Sequence, residues 1–208
     1  MSNNKEIKKD QNNKEKKSSS IKLGLISQNS SYLNVYELFN NYFEKTKPNP
    51  CKIKEEKYFE FSLLNLPQLP IIINHFKNIE DINDKYNIYN FFLIFIDLQN
   101  ITTNTFLETT IDIIIEADES NVNKKCYIYG FFQNKENNQI TEEKVTTLLE
   151  SKGIEYYYNE IKIDDIESFS KLIECTINDC NNIMIEKYLA KKHSELVQDG
   201  SNSHCFIY

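Results

Sequence analysis

Residues 21–34 read Ile-Lys-Leu-Gly-Leu-Ile-Ser-Gln-Asn-Ser-Ser-Tyr-Leu-Asn. The first seven are mostly apolar and predict a β-strand, and the next seven are polar enough to predict a short loop. Apolar residues then recur at the i, i+3, i+4, i+7 and i+8 spacing of a helix face, namely Val35, Leu38, Phe39, Tyr42 and Phe43. The folded part of the chain therefore begins with a strand, a loop and a helix, which is the first unit of an α/β domain.

The same alternation continues along the chain. Apolar runs predict further strands at 58–64, 91–97, 126–132 and 154–158, with a short strand near 51–53 as an option. Helical spacing predicts a short helix at 71–76, a helix at 105–118, one between Thr141 and Gly153, and one from 164 or 165 past Leu189. This order predicts a three-layer α/β sandwich, in which a six-stranded, mostly parallel sheet carries helices on both faces.

Composition limits the class of protein. The chain has 208 residues, which suits one domain, and its formal net charge of −7 argues against a general nucleic-acid binder. Residues 1–20 hold six lysines against three acidic residues, and we expect them to form a disordered Lys/Asn-rich tail before a domain at 21–195 and a flexible tail at 196–208. No apolar run approaches membrane-spanning length, and the five cysteines lack metal-site spacing, so we expect a cytoplasmic protein without a metal site.

Two further stretches carry a family resemblance. Residues 91–106 read Phe-Phe-Leu-Ile-Phe-Ile-Asp-Leu-Gln-Asn-Ile-Thr-Thr-Asn-Thr-Phe, and residues 141–158 end in Glu-Ser-Lys-Gly-Ile-Glu-Tyr-Tyr-Tyr. The first resembles the fourth strand and third helix of Ras/Rab-like small GTPases, and the second is similar to the helix and strand before that family's base-contacting loop. The resemblance extends over about residues 21–178 and implies a P-loop-NTPase-like fold with a nucleotide pocket.

The resemblance also places the phosphate-loop motif G-x-x-x-x-G-K-[ST] on this sequence. Its four defining positions hold Ser27, Tyr32, Leu33 and Asn34. Tyr32 puts a large side chain where backbone N–H groups would approach the phosphates, and Leu33 brings no charge to the β- and γ-phosphates. Asn34 offers only an amide oxygen for Mg²⁺. The strand, loop and helix are therefore kept while the phosphate chemistry is missing.

The other nucleotide motifs are lost as well. The D-x-x-G motif falls on 65–68, where Asn65 and Gln68 replace its Asp and Gly. The N-K-x-D motif has two registers, 131–134 and 134–137, and both put Asn in place of the base-reading Asp, at Asn134 or at the last residue of the second register. An amide cannot accept both N–H donors of guanine, which costs about 2 kcal/mol. The Ser-Ala-Lys loop aligns with 160–162, where only Lys162 fits.

These losses together predict a pseudo-GTPase that binds proteins, without catalytic residues and without a cofactor. We expect its partners to bind the former switch region, residues 51–87, with vesicle trafficking or a larger assembly as the setting. Two alternatives stay open: a divergent small GTPase that retains GTP/GDP and Mg²⁺, and an unrelated α/β scaffold. Cys205 stands fourth from the end in C-a-a-X form, which predicts either prenylation with peripheral membrane association or a free cysteine.

Overall fold

The computed structural model describes residues 21–31, 33–46, 58–61, 71–76, 89–117 and 124–201. Within these ranges six strands form one sheet, in the order β2-β3-β1-β4-β5-β6. In chain order they are β1 Ile21–Ser27, β2 Tyr58–Phe61, β3 Ile71–Phe76, β4 Phe91–Asp97, β5 Lys125–Phe132 and β6 Glu155–Lys162. Five of them run parallel, and β2 pairs antiparallel with β3. The predicted α/β class with a mostly parallel sheet is confirmed.

Four α-helices connect or follow these strands in the described part of the chain. They are α1 Val35–Thr46, α2 Thr103–Glu116, α3 Glu142–Lys152 and α4 Ile166–Ser201. A 3-10 turn at Lys135–Asn137 precedes α3. Helix α4 continues into the predicted C-terminal tail, because its helical hydrogen bonding extends to Ser201. None of the helices in the described ranges has the length and apolarity needed to cross a membrane.

Alternation along the strands builds two cores, one on each face of the sheet. Along β4, Phe91, Leu93 and Phe95 point to one face, while Phe92, Ile94 and Ile96 point to the other. Side chains of α1 and α4, such as Phe39 and Phe169, pack on the first face, and those of α2 and α3, such as Leu107 and Leu149, pack on the second. A strand that is buried on both faces must be apolar throughout, which explains the continuous run that predicted β4.

Two sequence predictions need correction. Residues 71–76, predicted as a short helix, form strand β3 between β2 and β1. Six residues are too few for periodicity to separate helix from strand, and three successive isoleucines favour a strand. The last strand extends to Lys162 instead of ending at Tyr158, because Ile161 is buried and pairs with Phe131. The optional strand at 51–53 and the tail at 1–20 lie outside the described residues.

Candidate functional site

The order of the strands indicates where a ligand-binding crevice would lie in this fold. Strand β1 lies next to β4, and the chain leaves β1 for α1 on one face of the sheet and leaves β4 for α2 on the other. Ligands of open α/β sheets bind at such a switch point, outside the carboxyl ends of the strands. Two loops flank this point, 28–34 after β1 and 98–102 after β4, so the crevice between them is the candidate site.

Gln28 is the first residue after β1, next in the chain to the crevice-lining Asn29, and is only 4% exposed. Its side-chain oxygen accepts hydrogen bonds from the Asp97 backbone N–H at 2.8 Å and from the Thr103 hydroxyl at 3.0 Å. Its side-chain amide donates to Thr102 at 3.2 Å, and its backbone N–H donates to the Phe95 carbonyl at 2.8 Å. Gln28 was not among the site residues predicted from the sequence. The feature that could have indicated it is its position as a polar residue directly after a buried strand.

Asp97, the last residue of β4, supplies the negative charge of the crevice. Its Oδ2 accepts a hydrogen bond from the Ser30 hydroxyl at 2.7 Å, and its Oδ1 accepts one from the Gln99 backbone N–H at 2.9 Å. The Thr103 hydroxyl also donates to the Asp97 carbonyl. Both carboxylate oxygens therefore act as acceptors and hold the two loops together.

The crevice has a volume of about 760 Å³ and a largely neutral polar lining. Its lining residues are Asn29, Ser30, Ser31, Asp97, Gln99, Asn100, Ile101 and Gln139. Asp97 is the one ionisable side chain among these described lining residues, and Ile101 at the rim is 85% exposed. A phosphate site needs cationic groups or converging backbone N–H groups. This lining instead offers one anion, amides and hydroxyls.

Two of the predicted phosphate-loop residues have other partners. The Ser27 hydroxyl lies 2.8 Å from Nε2 of His75 on β3. Leu33 is 7% exposed and belongs to the apolar core on the α1/α4 face. The residue that the resemblance aligns with the P-loop lysine is therefore part of the core. Tyr32 lies outside the described residues.

Asn34 caps helix α1 in this structure. Its side-chain oxygen accepts a hydrogen bond from the Glu37 backbone N–H at 3.2 Å, and its carbonyl accepts one from the Leu38 N–H at 3.1 Å. Asn is among the preferred N-cap residues because its oxygen satisfies a helix N–H that has no intrahelical partner. Glu37 adds a negative charge in the first turn. This helix end is thus capped and acidic, which disfavours a bound anion.

The predicted base-contacting residues also have local roles. The Asn134 side chain accepts a hydrogen bond from the Glu136 N–H at 3.2 Å, and its carbonyl accepts one from Gln99 at 3.0 Å. Lys162 lies at the end of β6, not in a loop, and its ammonium group is 2.9 Å from Asp164. That hydrogen bond is the main cause of the lowered pKa of Asp164. Through Gln99, Asn134 is connected to the crevice.

The remaining predicted positions are outside the described residues. These are Asn65, Gln68, most of the predicted partner-binding region 51–87 apart from β2 and β3, and Cys205, whose lipidation stays a prediction. In the ranges that the structure describes, no group of three or more His, Cys, Asp or Glu side chains is placed to hold a metal ion.

No protein-family model matches this chain, and no curated protein sequence is significantly similar to it. Function is therefore inferred from the fold and from the contacts described above.

Proposed function

We propose that this protein is a pseudo-GTPase: a domain of small-GTPase type that binds protein partners and neither binds nor hydrolyses GTP. The observation that carries the proposal is the burial of Leu33 in the apolar core, at the position of the phosphate-binding lysine. A lysine there is the main positive charge that a P-loop offers to the β- and γ-phosphates. A buried leucine offers none, and its side chain contributes to folding instead.

The neighbouring groups support the same conclusion. Asn34 aligns with the residue that binds Mg²⁺ in the P-loop motif. Its side-chain oxygen already accepts a hydrogen bond that caps α1. Glu37 places a carboxylate in the first turn of the helix, where a phosphate would be repelled. Gln28 and Asp97 join the two crevice loops by a direct hydrogen bond. The contacts of Leu33 and Asn34 thus stabilise the fold at positions where the resemblance would place groups for nucleotide.

The P-loop type of fold is part of the proposal. A mostly parallel sheet with β1 near its centre, and with helices on both faces, supports it. We propose that partners bind the former switch region at 51–87, and that the protein acts in the cytoplasm, in vesicle trafficking or in a larger assembly. The scaffold surfaces, more than a bound ligand, would then carry the function.

Nucleotide content and nucleotide affinity test this proposal. The purified full-length protein is denatured, and its supernatant is analysed by ion-exchange chromatography. The untreated protein is titrated with fluorescent GTP and GDP, with and without Mg²⁺, beside an active small GTPase as positive control. We expect no co-purified nucleotide and no saturable binding. Stoichiometric nucleotide, or micromolar binding that requires Mg²⁺, would instead establish a divergent GTPase that retains GTP/GDP.

A further inference from the structure

We propose that the outer edge of strand β6 pairs with the same edge of a second copy of this chain, so that two six-stranded sheets join into one. The two strands run antiparallel about a two-fold axis that passes beside Asn159. This pairing goes beyond the proposed function, because it neither requires nor excludes nucleotide binding. It also uses the edge of the sheet opposite to β2, which belongs to the predicted partner-binding region 51–87.

The backbone of β6 presents a row of hydrogen-bonding groups at the edge of the sheet. Among the described strands β6 pairs with β5 alone, in one parallel register over its whole length. The Ile163 N–H donates to the Phe132 carbonyl at 2.9 Å, and backbone groups alternate in direction along a strand. The odd-numbered residues of β6 therefore bond to β5. The backbone groups of Tyr156, Tyr158 and Glu160 point outward, and no residue in the described ranges bonds to them.

The sequence of β6 lacks the features that protect an edge strand. Natural edge strands avoid pairing with other chains because they are short, or because they carry Pro, a bulge or an unpaired charge. β6 has eight residues, contains neither Pro nor Gly, and keeps its register with β5 without a bulge. Its three successive tyrosines, residues 156–158, also favour an extended backbone. A long and regular edge of this kind is suited to binding another strand.

The charged side chains of β6 are neutralised within the same chain. Each of them forms an ion pair with a residue of opposite charge outside the strand, namely Glu155 with Lys125 at 3.3 Å, Glu160 with Lys135 at 2.8 Å, and Lys162 with Asp164 at 2.9 Å. Like charges that face each other across two strands are destabilising. Because these charges are already paired, a second copy that approaches the edge meets no unpaired charge on β6.

The strand is complementary to itself when Asn159 lies opposite Asn159 of the second copy. Tyr158 then lies opposite Glu160 of the second copy, and their outward backbone groups form a hydrogen-bonded pair that the two-fold axis repeats. The Asn159 amide has both a donor and an acceptor, so two such side chains can bind each other across the axis. Tyr157, which is 41% exposed, lies on the same face of the strand and would be partly covered. No like charges are directly opposed in this register.

Disulfide cross-linking of the full-length protein tests this register. Asn159→Cys places two thiols in a non-hydrogen-bonded pair, where the Cα atoms are about 4.5 Å apart and a disulfide can form. Glu155→Cys is the matched control on the same strand, because its two copies would be about 27 Å apart. The unaltered protein reports on the native cysteines. Under mild oxidation we expect a covalent dimer from Asn159→Cys only. Equal cross-linking of Glu155→Cys, or none of Asn159→Cys, would overturn the proposal.

A proline variant separates the edge backbone from the side chain. Glu160→Pro removes an outward N–H but no hydrogen bond to β5, and Glu160→Ala removes the same carboxylate while keeping the N–H. Analytical ultracentrifugation measures dimerisation from micromolar to near-millimolar concentration. We expect dimers of similar affinity from the unaltered protein and Glu160→Ala. The affinity of Glu160→Pro should be at least about tenfold weaker, because the two-fold axis repeats the loss of the hydrogen bond.

Two results of the ultracentrifugation would overturn the proposal. One is a protein that stays monomeric at every concentration, and the other is a dimer that Glu160→Pro and Glu160→Ala weaken equally. If Glu160→Pro does not fold, as judged by circular dichroism, the cross-linking of Asn159→Cys against Glu155→Cys decides alone. All these results leave the pseudo-GTPase proposal unaffected, because that proposal is tested by nucleotide content and nucleotide titration.

Discussion

The side-chain oxygen of Gln28 accepts a hydrogen bond from the backbone N–H of Asp97 at 2.8 Å. This bond joins the ends of β1 and β4, two neighbouring parallel strands, at the point where the chain turns to opposite faces of the sheet. The Thr103 hydroxyl donates to the same oxygen, so α2 is fixed to the same point. The ends of β1 and β4 and the start of α2 are thus joined by hydrogen bonds to one buried side chain.

Replacing Gln28 by alanine should therefore destabilise the fold. The change leaves the buried Asp97 N–H without its side-chain acceptor, while the Thr103 hydroxyl keeps the Asp97 carbonyl as acceptor, and we expect a loss of about 1–3 kcal/mol in the free energy of unfolding. Urea unfolding at pH 7 measures it. Gln139→Ala, on an exposed side chain of the same crevice, is the matched control, with an expected change under about 0.5 kcal/mol. Equal effects of the two variants would contradict the structural role of Gln28.

Gly24 of β1 should not tolerate a side chain. A Cβ at this position would lie 2.8 Å from the Phe92 ring and 2.9 Å from the Phe76 ring. We expect Gly24→Ala to cost about 1–3 kcal/mol through overpacking. Since part of the clash is with Phe92, the double variant with Phe92→Leu should cost less than the sum of the single variants by about 0.5 kcal/mol or more. Urea unfolding of all three measures this coupling.

Gly153 provides the control for that coupling. It has φ +66° at the end of α3, and a Cβ there would meet nothing within 4 Å. Gly153→Ala should cost about 1 kcal/mol through backbone strain alone. The loss of stability in the double variant Gly153→Ala, Phe92→Leu should equal the sum of the losses in the two single variants. If the losses of stability caused by Gly24→Ala and Phe92→Leu were also additive, Phe92 would not be among the groups that exclude a side chain at residue 24.

Much of the fold could be predicted because burial leaves a clear periodicity. β4 and β5 are buried on both faces and appear as continuous apolar runs, while α1 shows one apolar stripe. Periodicity failed at 71–76, where six residues fit either period, and at the end of β6, where Asn159 and Glu160 interrupt the apolar pattern although Ile161 is buried. Short elements and edge strands carry too few buried residues to be assigned reliably.

The candidate site was harder to predict than the fold. Leu33 and Asn34 were predicted only as departures from the P-loop motif, and their roles in the core and as a helix cap depend on three-dimensional contacts. Gln28 and Asp97 are distant in sequence and meet only because β1 and β4 are neighbours. The hydrogen-bond partners of a polar residue after a buried strand cannot be assigned until the neighbouring strand is known.

Asn34 should be replaceable by another capping residue. As the N-cap of α1 it should lose about 1 kcal/mol of stability on change to alanine, and almost none on change to serine, whose hydroxyl also accepts a helix N–H bond. Thermal or urea unfolding compares the two variants. Asn34→Ser also introduces the hydroxyl that the P-loop motif has at the aligned position, and we expect no gain in GTP affinity from it. A gain would contradict the assignment of Asn34 as a cap alone.

Introducing the lysine of the P-loop motif at residue 33 should destabilise the fold without creating nucleotide binding. Leu33→Lys puts an ammonium group at a position that is 7% exposed within the α1/α4 core. We expect a loss of about 2–4 kcal/mol in the free energy of unfolding, because a leucine is removed from the core and a charge must reach solvent. Leu33→Met, which keeps volume and apolarity, should cost less than about 1.5 kcal/mol. GTP binding by a stable Leu33→Lys protein would show that this loop still adopts a phosphate-binding conformation.

The contribution of Asp179, on helix α4, to the stability of the fold should depend on pH. Its carboxylate accepts hydrogen bonds from the Lys125 ammonium at 2.8 Å and the Tyr127 hydroxyl at 2.6 Å. Burial raises the pKa of Asp179, but these two hydrogen bonds and the charge of Lys125 outweigh burial, so the pKa is lowered. Because the folded-state pKa lies below the unfolded value of about 3.9, the stabilisation is complete above that value and is lost as the pH falls through the folded pKa.

The variant Asp179→Asn tests this dependence. At pH 7 we expect it to cost about 1 kcal/mol, a modest figure because the side chain is 41% exposed and solvent screens the pair. The difference from the unaltered protein should stay constant between pH 7 and pH 5 and shrink below about pH 4, where the unfolded chain takes up a proton at Asp179 before the folded chain does. Urea unfolding at pH 7, 5, 4 and 3 measures it, with Glu174→Gln on an exposed position of α4 as control. A difference that is the same at pH 3 and pH 7 would show that the Asp179→Asn variant loses only packing or hydrogen bonds, and that the charge of the native carboxylate does not hold α4 to β5.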